Sequence, residues 1–202
     1  MQGLFGIMRT ALLQLMMALL IPVIWWVVTS RKISFLKWIG FIKPKFNQSF
    51  MKSIGIVLSV TIGYIFAMQY IVIHCIGLSQ TAGASFTGKG LMVLPQILVY
   101  AIFQTSLSEE LFFRGFLCKR LTHQLGFVAG NSVQALCFGL IHGIPFGLVT
   151  GSLLVGFMMT LLPAIMGYMQ GWLNEKRANG SIVPSWILHA VMNILSGITA
   201  AL

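Results

Sequence analysis

Two adjacent glutamates, Glu109 and Glu110, lie in the apolar stretch 99–117 and are two of only three acidic residues in the chain. A carboxylate at membrane depth is costly, so such residues are candidates for function. Arg114 follows Glu110 by four residues, which places both on one helix face and predicts an ion pair. Glu109 lies about 100° further round the helix. It is therefore free to point into a cavity, where a carboxylate can act as a general base.

Three further polar residues lie in two other apolar stretches. His142 lies near the end of one, and the four-residue spacing of His189 and Asn193 places them on one face of the last. Each lies roughly ten to fifteen residues from the same end of its predicted span, which corresponds to a similar depth at about 1.5 Å per residue. Imidazoles and carboxylates in a water-accessible pocket can supply a general base and oxyanion stabilisers. We therefore expect Glu109, His142 and His189 to converge on one cavity.

The composition excludes a water-soluble domain. The chain of 202 residues is 57% hydrophobic and only 8% charged, which indicates an all-α, polytopic transmembrane helical bundle. We expect a single membrane domain over 1–202, with a first span that is retained and a fifth span that is interrupted at Pro163. The fourth span is expected to be short. The predicted spans cover residues 4–28, 53–77, 91–118, 128–145, 147–170 and 182–201.

The connection between the first two spans also carries a pattern. Over 30–52, basic residues alternate with Phe35, Trp38 and Ile39, which is typical of an interfacial amphipathic helix. A Gly/Ser/Thr-rich loop is expected at 78–90. The bundle is thus predicted to contain about six spans plus one helix at the membrane surface.

Basic residues orient this bundle. They concentrate in the segment 29–52 and directly after the third and fifth spans, so the positive-inside rule makes that side cytoplasmic. The net charge of +10 then reflects topology signals that face anionic lipid. The basic residues flank apolar segments, as topology signals do, so we expect no nucleic-acid partner. We expect a multi-pass protein of the cell membrane, with its site open to the cytoplasmic side.

Three short motifs run through the second half of the chain. They are EExxxR, FxxxH and HxxxN, formed by Glu109, Glu110 and Arg114, by Phe138 and His142, and by His189 and Asn193. In this order, each within an apolar span, they resemble the CPBP family of intramembrane endopeptidases (CAAX protease and bacteriocin-processing, or Abi), which includes the type II CAAX prenyl endopeptidases. The resemblance covers about 95–200, which would be the catalytic core.

The resemblance implies hydrolysis of a peptide bond in a membrane-associated peptide or protein. It makes Glu109 the residue that activates a water, His142 the residue that helps to hold that water, and His189 with Asn193 the oxyanion site. Glu110 and Arg114 would support this geometry, and no cofactor is implied. A prenylated C-terminus, a bacteriocin leader and a pheromone precursor all fit as the substrate.

Two other readings use the same residues. Glu109, His142 and His189 could be the three ligands of a catalytic zinc ion, although no HExxH sequence supports this. Alternatively, the chain could be a bacteriocin self-immunity protein that acts by binding alone. A proton-coupled transporter is disfavoured because the sequence has neither inverted repeats nor paired broken helices.

Other nucleophiles have weaker support. Ser185 and His189 are four residues apart and could touch, but no third group is evident that would orient the imidazole. Cys137 and His142 lie about 140° apart on one helix. Glycines spaced by four residues, at Gly139 and Gly143 and at Gly147 and Gly151, predict close helix packing.

Overall fold

The computed structural model describes residues 3–46, 49–77 and 80–202, and in these ranges the regular structure is helical. Six helices are long and apolar enough to cross a membrane, which confirms the all-α polytopic bundle. We call them the first to sixth spans. They are Leu4–Thr29, Phe50–Ile76, Gly90–Leu125, Phe127–Thr150, Leu153–Arg177 and Val183–Ala201.

Two expectations about the fourth and fifth spans were wrong. The fourth span is not short, because it continues through Pro145 over 24 residues. The fifth span likewise continues through Pro163 over 25 residues. Prolines are tolerated within membrane helices because neighbouring helices and polar side chains satisfy the backbone groups that they release. Gly151, with a φ of 64°, adopts the left-handed conformation that reverses the chain between the two spans.

Small residues hold the fourth and fifth spans close together. A Cβ added to Gly139 would lie 2.2 Å from the Thr160 carbonyl oxygen, and one added to Gly143 would lie 2.4 Å from that of Gly156. Both distances are far shorter than a van der Waals contact, so only glycine fits at these positions. The predicted close packing is confirmed at Gly139, Gly143 and Gly147, and it fixes the helix that carries His142. The prediction is wrong at Gly151, where a Cβ would have nothing within 4 Å.

The third span is the element that the others surround. It contacts the first, fourth, fifth and sixth spans. Within it, Leu94–Val99 and Lys119–Leu125 are α-helical, whereas Tyr100–Leu107 and Glu110–Cys118 have the wider π-helical turn. Such turns are rare and are found frequently at functional sites. Here they flank Glu109.

The helix expected at the membrane surface is short and partly covered by protein. It spans Phe35–Ile39 and ends at Gly40 in the left-handed conformation. Trp38 and Ile39 are buried against Leu111, Phe116 and Ile182 rather than exposed to lipid. A face of aromatic and aliphatic side chains can pack against protein as well as against a bilayer surface. The sequence pattern alone therefore did not show that Trp38 and Ile39 pack against protein. Asn47 and Gln48 of the predicted segment, and Leu78 and Ser79 of the predicted loop, lie outside the described residues.

The three basic connections meet at one end of the bundle. Lys119 donates from Nζ to Glu175 Oε1 at 2.5 Å and to the Gly180 carbonyl oxygen at 2.7 Å. Ser181 donates to the carbonyl oxygen of Ile42 at 2.6 Å. These contacts join the end of the third span, the connection between the fifth and sixth spans, and the chain after Phe35–Ile39. Their common location agrees with six alternating spans.

Candidate active site

The predicted ion pair between Glu110 and Arg114 forms at the centre of the bundle. Arg114 Nη1 lies 3.2 Å from Glu110 Oε1, and the exposed fractions of the two side chains are 1% and 0%. Arg114 also donates from Nη2 to Gln170 Oε1 at 2.5 Å and lies over the ring of Phe138, with Cζ 4.1 Å from the ring centroid. The guanidinium is therefore held by three different spans, and Glu110 has a fixed counter-charge.

His189 lies between the two adjacent glutamates. Its Nδ1 is 3.0 Å from Glu110 Oε1, and its Nε2 is 3.7 Å from Glu109 Oε2. An ionised carboxylate only accepts hydrogen bonds, so Nδ1 carries a hydrogen and donates it to Glu110. The other ring nitrogen then faces Glu109 at a distance that is too long for a direct hydrogen bond. Thus each carboxylate occupies one side of the same imidazole.

The two glutamates differ in accessibility. Glu110 is fully buried, whereas the side chain of Glu109 is 20% exposed. Even so, Glu109 Oε2 is itself buried and has no hydrogen-bonding partner among the described residues. An unpaired buried carboxylate oxygen is costly. Glu109 is therefore the carboxylate with free capacity to bind water or substrate.

A chain of hydrogen bonds supports Glu110 from the opposite side. Asn174 donates from Nδ2 to Ser185 Oγ at 2.7 Å, and Ser185 donates to Glu110 Oε2 at 2.5 Å. Ser185 and His189 thus bind different oxygens of one carboxylate. This corrects the expectation that no third group orients His189, since Glu110 does so. The Ser185 hydroxyl donates its hydrogen to Glu110 and not to His189, so the imidazole is not placed to activate this serine as a nucleophile.

Asn193, one helical turn after His189 in the sixth span, is hydrogen-bonded to the third span. It donates from Nδ2 to Thr105 Oγ1 at 2.9 Å and to Ser106 Oγ at 3.2 Å. The Thr105 hydroxyl donates its own hydrogen to the carbonyl oxygen of Tyr100 at 3.1 Å, so it can accept from Asn193. Both residues of the HxxxN motif are therefore held by the third span, His189 by Glu110 and Asn193 by Thr105 and Ser106.

His142 joins this group through an aromatic ring. Its Nδ1 donates to the Phe138 carbonyl oxygen at 2.8 Å, and its ring centroid lies 4.6 Å from that of Phe138. The same phenyl ring lies 6.1 Å from the His189 ring in an edge-on arrangement. The structure therefore places the two histidines against one side chain. Phe138, not a direct hydrogen bond, links His142 to His189.

The zinc reading requires three ligands that point at one position. Among residues 3–46, 49–77 and 80–202, no group of three or more His, Cys, Asp or Glu side chains is arranged to hold a metal ion. Glu109, His142 and His189 therefore do not form the predicted three-ligand group. Nδ1 of each histidine donates to an acceptor, Glu110 or the Phe138 carbonyl oxygen, which leaves Nε2 as the free nitrogen of each ring.

Sequence reasoning missed several residues that support the site. The missed residues are uncharged polar side chains within apolar spans, and that anomaly is the signal that was available in the sequence. They are Thr105, Ser106, Gln170 and Asn174. Ser185 was considered only as a nucleophile, whereas it supports Glu110.

Comparison with known proteins identifies the class. The family model described as "type II CAAX prenyl endopeptidase Rce1-like" matches residues 90–195. The match covers more than half of the chain and includes the residues of all three motifs. The chain belongs to this Rce1-like family of intramembrane CAAX endopeptidases. No curated protein and no solved structure matches it.

Proposed function

We propose that this protein hydrolyses a peptide bond near the prenylated C-terminus of a membrane-associated substrate, with Glu109 as the general base. The arrangement of Glu109, His189 and Glu110 is the observation that carries the proposal. The two carboxylates are neighbours in sequence but have opposite environments. Glu110 is buried and has partners at both oxygens, whereas Glu109 is partly exposed and has an unpaired oxygen. Only Glu109 has capacity for chemistry.

Charge balance supports the role of His189 as a hydrogen-bond donor. Two ionised glutamates and Arg114 leave one net negative charge, which a protonated His189 would neutralise. A neutral cluster is favoured where charges are removed from water. In that state Nδ1 donates to Glu110, and Nε2 also carries a hydrogen on the side of Glu109. That hydrogen can stabilise an oxyanion on a substrate carbonyl.

The reaction then follows from these positions. Glu109 removes a proton from a water molecule, and the water oxygen forms a bond to the substrate carbonyl carbon. The negative charge moves to the carbonyl oxygen, near the Nε2 hydrogen of His189. When the C–N bond breaks, Glu109 returns the proton to the leaving amine. The products are a carboxylic acid and an amine, and Glu109 recovers its ionised form.

His142 and Asn193 complete the proposed machinery. The Nδ1 hydrogen of His142 is donated to Phe138, which leaves Nε2 as the nitrogen that helps to hold the attacking water. Asn193 uses both hydrogens of Nδ2 for Thr105 and Ser106. We expect it to exchange the longer bond, to Ser106, for the oxyanion. The tie to Thr105 then keeps the amide in place during the reaction.

The proposal also covers the surroundings of the site. Residues 95–200 form the proposed catalytic core of one membrane domain over 1–202, with the first span on the third and the second on the fifth. The end of the bundle where Lys119, Glu175 and Gly180 meet is proposed to be cytoplasmic, on the positive-inside rule. A prenylated C-terminus on the cytoplasmic leaflet would reach Glu109 and His189 from that end of a cell-membrane protein.

The test uses the purified full-length protein in detergent or nanodiscs and a farnesylated peptide that ends in a CAAX sequence. Glu109→Gln should abolish cleavage and leave the unfolding temperature within a few degrees of the wild type, because an amide is nearly isosteric but cannot accept the proton. Glu175→Gln is the matched control, since Glu175 is the remaining acidic residue and contacts Lys119 instead. It should retain cleavage. A Glu109→Gln protein that cleaves the peptide at the wild-type rate would overturn the proposal.

A further inference from the structure

We infer that Ser185 is a positioning residue for His189, that it acts through Glu110, and that Asn174 holds it in place. The inference rests on the proposed function, since it assigns Ser185 to the support of the same site. Ser185 lies in the first turn of the sixth span, and His189 follows it by one turn. Both side chains consequently face the Glu110 carboxylate.

The directions of the hydrogen bonds are fixed by the donors available. Asn174 donates an N–H to Ser185 Oγ at 2.7 Å, so the hydroxyl acts there as an acceptor. Its own hydrogen has two possible acceptors, Glu110 Oε2 at 2.5 Å and the Ile182 carbonyl oxygen at 3.0 Å. The bond to the ionised carboxylate is the shorter and the stronger. The bonds therefore run from Asn174 to Ser185 to Glu110.

This chain of bonds determines the orientation of Glu110. Its Oε1 lies against His189 and Arg114, and among the described residues its Oε2 accepts a hydrogen bond from Ser185 alone. Ser185 is therefore the second anchor of the carboxylate, and without it the group would be held at one oxygen and could rotate more freely. Rotation would move the acceptor away from His189 Nδ1 and release the imidazole from its position beside Glu109.

The fifth span supports both neighbours of Glu110 from one helix face. Gln170 accepts from Arg114, and Asn174, four residues later, donates to Ser185. All of these side chains are buried. Two amides one helical turn apart therefore fix a cation on one side of Glu110 and a hydroxyl on the other.

A purely structural role would give a different result. If Ser185 served only to join the fifth and sixth spans, its loss would lower stability without changing the ring nitrogens of His189. Ser181 is a matched control, because it is also buried and also donates a hydrogen bond, but to the Ile42 carbonyl oxygen. Ser181→Ala removes a bond of the same kind away from Glu110.

The experiment records ¹⁵N spectra of the histidine rings in full-length wild type, Ser185→Ala, Ser185→Thr and Ser181→Ala, with His189→Gln to assign the signal. His142 is the internal reference, because its Nδ1 donates to Phe138. Ser185→Ala should shift the His189 signals and leave those of His142 in place, and Ser185→Thr should restore them. Cleavage of the farnesylated peptide should show kcat reduced about 10- to 100-fold in Ser185→Ala, the rate equivalent of a lost hydrogen bond to a charged group, with KM within about twofold of the wild type.

Asn174→Leu is the second variant. It removes the donor to Ser185 and should shift the His189 signals in the same direction, so a Ser185 variant that fails to fold leaves the inference testable. Unchanged His189 signals in the folded variants, or an equal shift in Ser181→Ala, would overturn the positioning role. Glu109→Gln separates the two proposals. If it abolishes cleavage while Ser185→Ala keeps the wild-type kcat and spectrum, only the positioning role fails.

Discussion

His189 donates from Nδ1 to Glu110 at 3.0 Å, so the second glutamate of the adjacent pair contacts the sixth span as well as Arg114 of its own span. The i and i+4 spacing of Glu110 and Arg114 had indicated a contact within one helix. The carboxylate in fact joins two spans, and it sets the orientation of the histidine proposed to stabilise the oxyanion. A change at Glu110 or its partners should therefore affect folding and chemistry together.

The first prediction concerns Arg114. Arg114→Ala should lower the free energy of unfolding by about 3–5 kcal/mol, because it leaves the Glu110 carboxylate buried without its counter-charge. Thermal or denaturant unfolding in detergent measures the effect. Arg31→Ala is the control, since Arg31 is exposed at the end of the first span, and it should change stability little. Adding Glu110→Gln to Arg114→Ala should recover part of the loss, because it removes the uncompensated charge. A fully stable Arg114→Ala protein with only a slower rate would contradict this account.

A second prediction tests how Asn193 is held. Thr105→Val is nearly isosteric but removes the hydroxyl that accepts from Asn193, so it should cost about 1 kcal/mol of stability. It should also lower kcat, because the amide loses the partner that keeps it in place. Thr61→Val in the second span is the control, since Thr61 is buried and, among the described residues, its hydroxyl bonds to the Val57 carbonyl oxygen four residues earlier and to no other span. Equal rate defects in the two variants would argue against a special role for Thr105.

Some of this arrangement could be predicted because it depends on distances along one helix. Long apolar stretches predict spans, and four-residue spacing predicted that Glu110 and Arg114 would meet. The partners on other spans could not be predicted. The fifth span provides two examples, the contact of Asn174 with Ser185 and that of Gln170 with Arg114. Both contacts depend on how this span is rotated about its axis and on which helices it packs against. No local rule determines either.

One error and one incomplete expectation have the same origin. Proline predicts a break where a helix stands alone, yet the fifth span runs through Pro163 within a packed bundle. The helix expected around Trp38 forms, but its Trp38 and Ile39 side chains contact Leu111 and Phe116 of the third span. In both cases neighbouring helices changed the outcome. The packed bundle tolerates the proline, and the third span covers the apolar side chains that the pattern had assigned to the membrane.

The third prediction concerns packing next to His142. Gly143→Ala should destabilise the protein by about 1–3 kcal/mol, because a methyl group there overlaps the backbone of the fifth span. Gly63→Ala is the control, since nothing lies within 4 Å of a Cβ at that position of the second span. The yield of folded protein and the unfolding temperature measure the difference. Gly143→Ala should also lower kcat, because His142 is the adjacent residue. Equal tolerance of the two substitutions would contradict the close approach of the fourth and fifth spans.

The last prediction separates a glutamate-activated water from a zinc-activated one. We expect purified wild type to keep its rate of peptide cleavage after incubation with a strong chelator and to contain no stoichiometric zinc. The reason lies in the arrangement of the donors. Among the described residues, Glu109, His142 and His189 do not form a three-ligand group. His142→Ala and His189→Ala should lower the rate without changing the metal content measured by mass spectrometry. Stoichiometric zinc that is lost together with activity, and that returns with it, would move the proposed mechanism to a metal-bound water with these three residues as ligands.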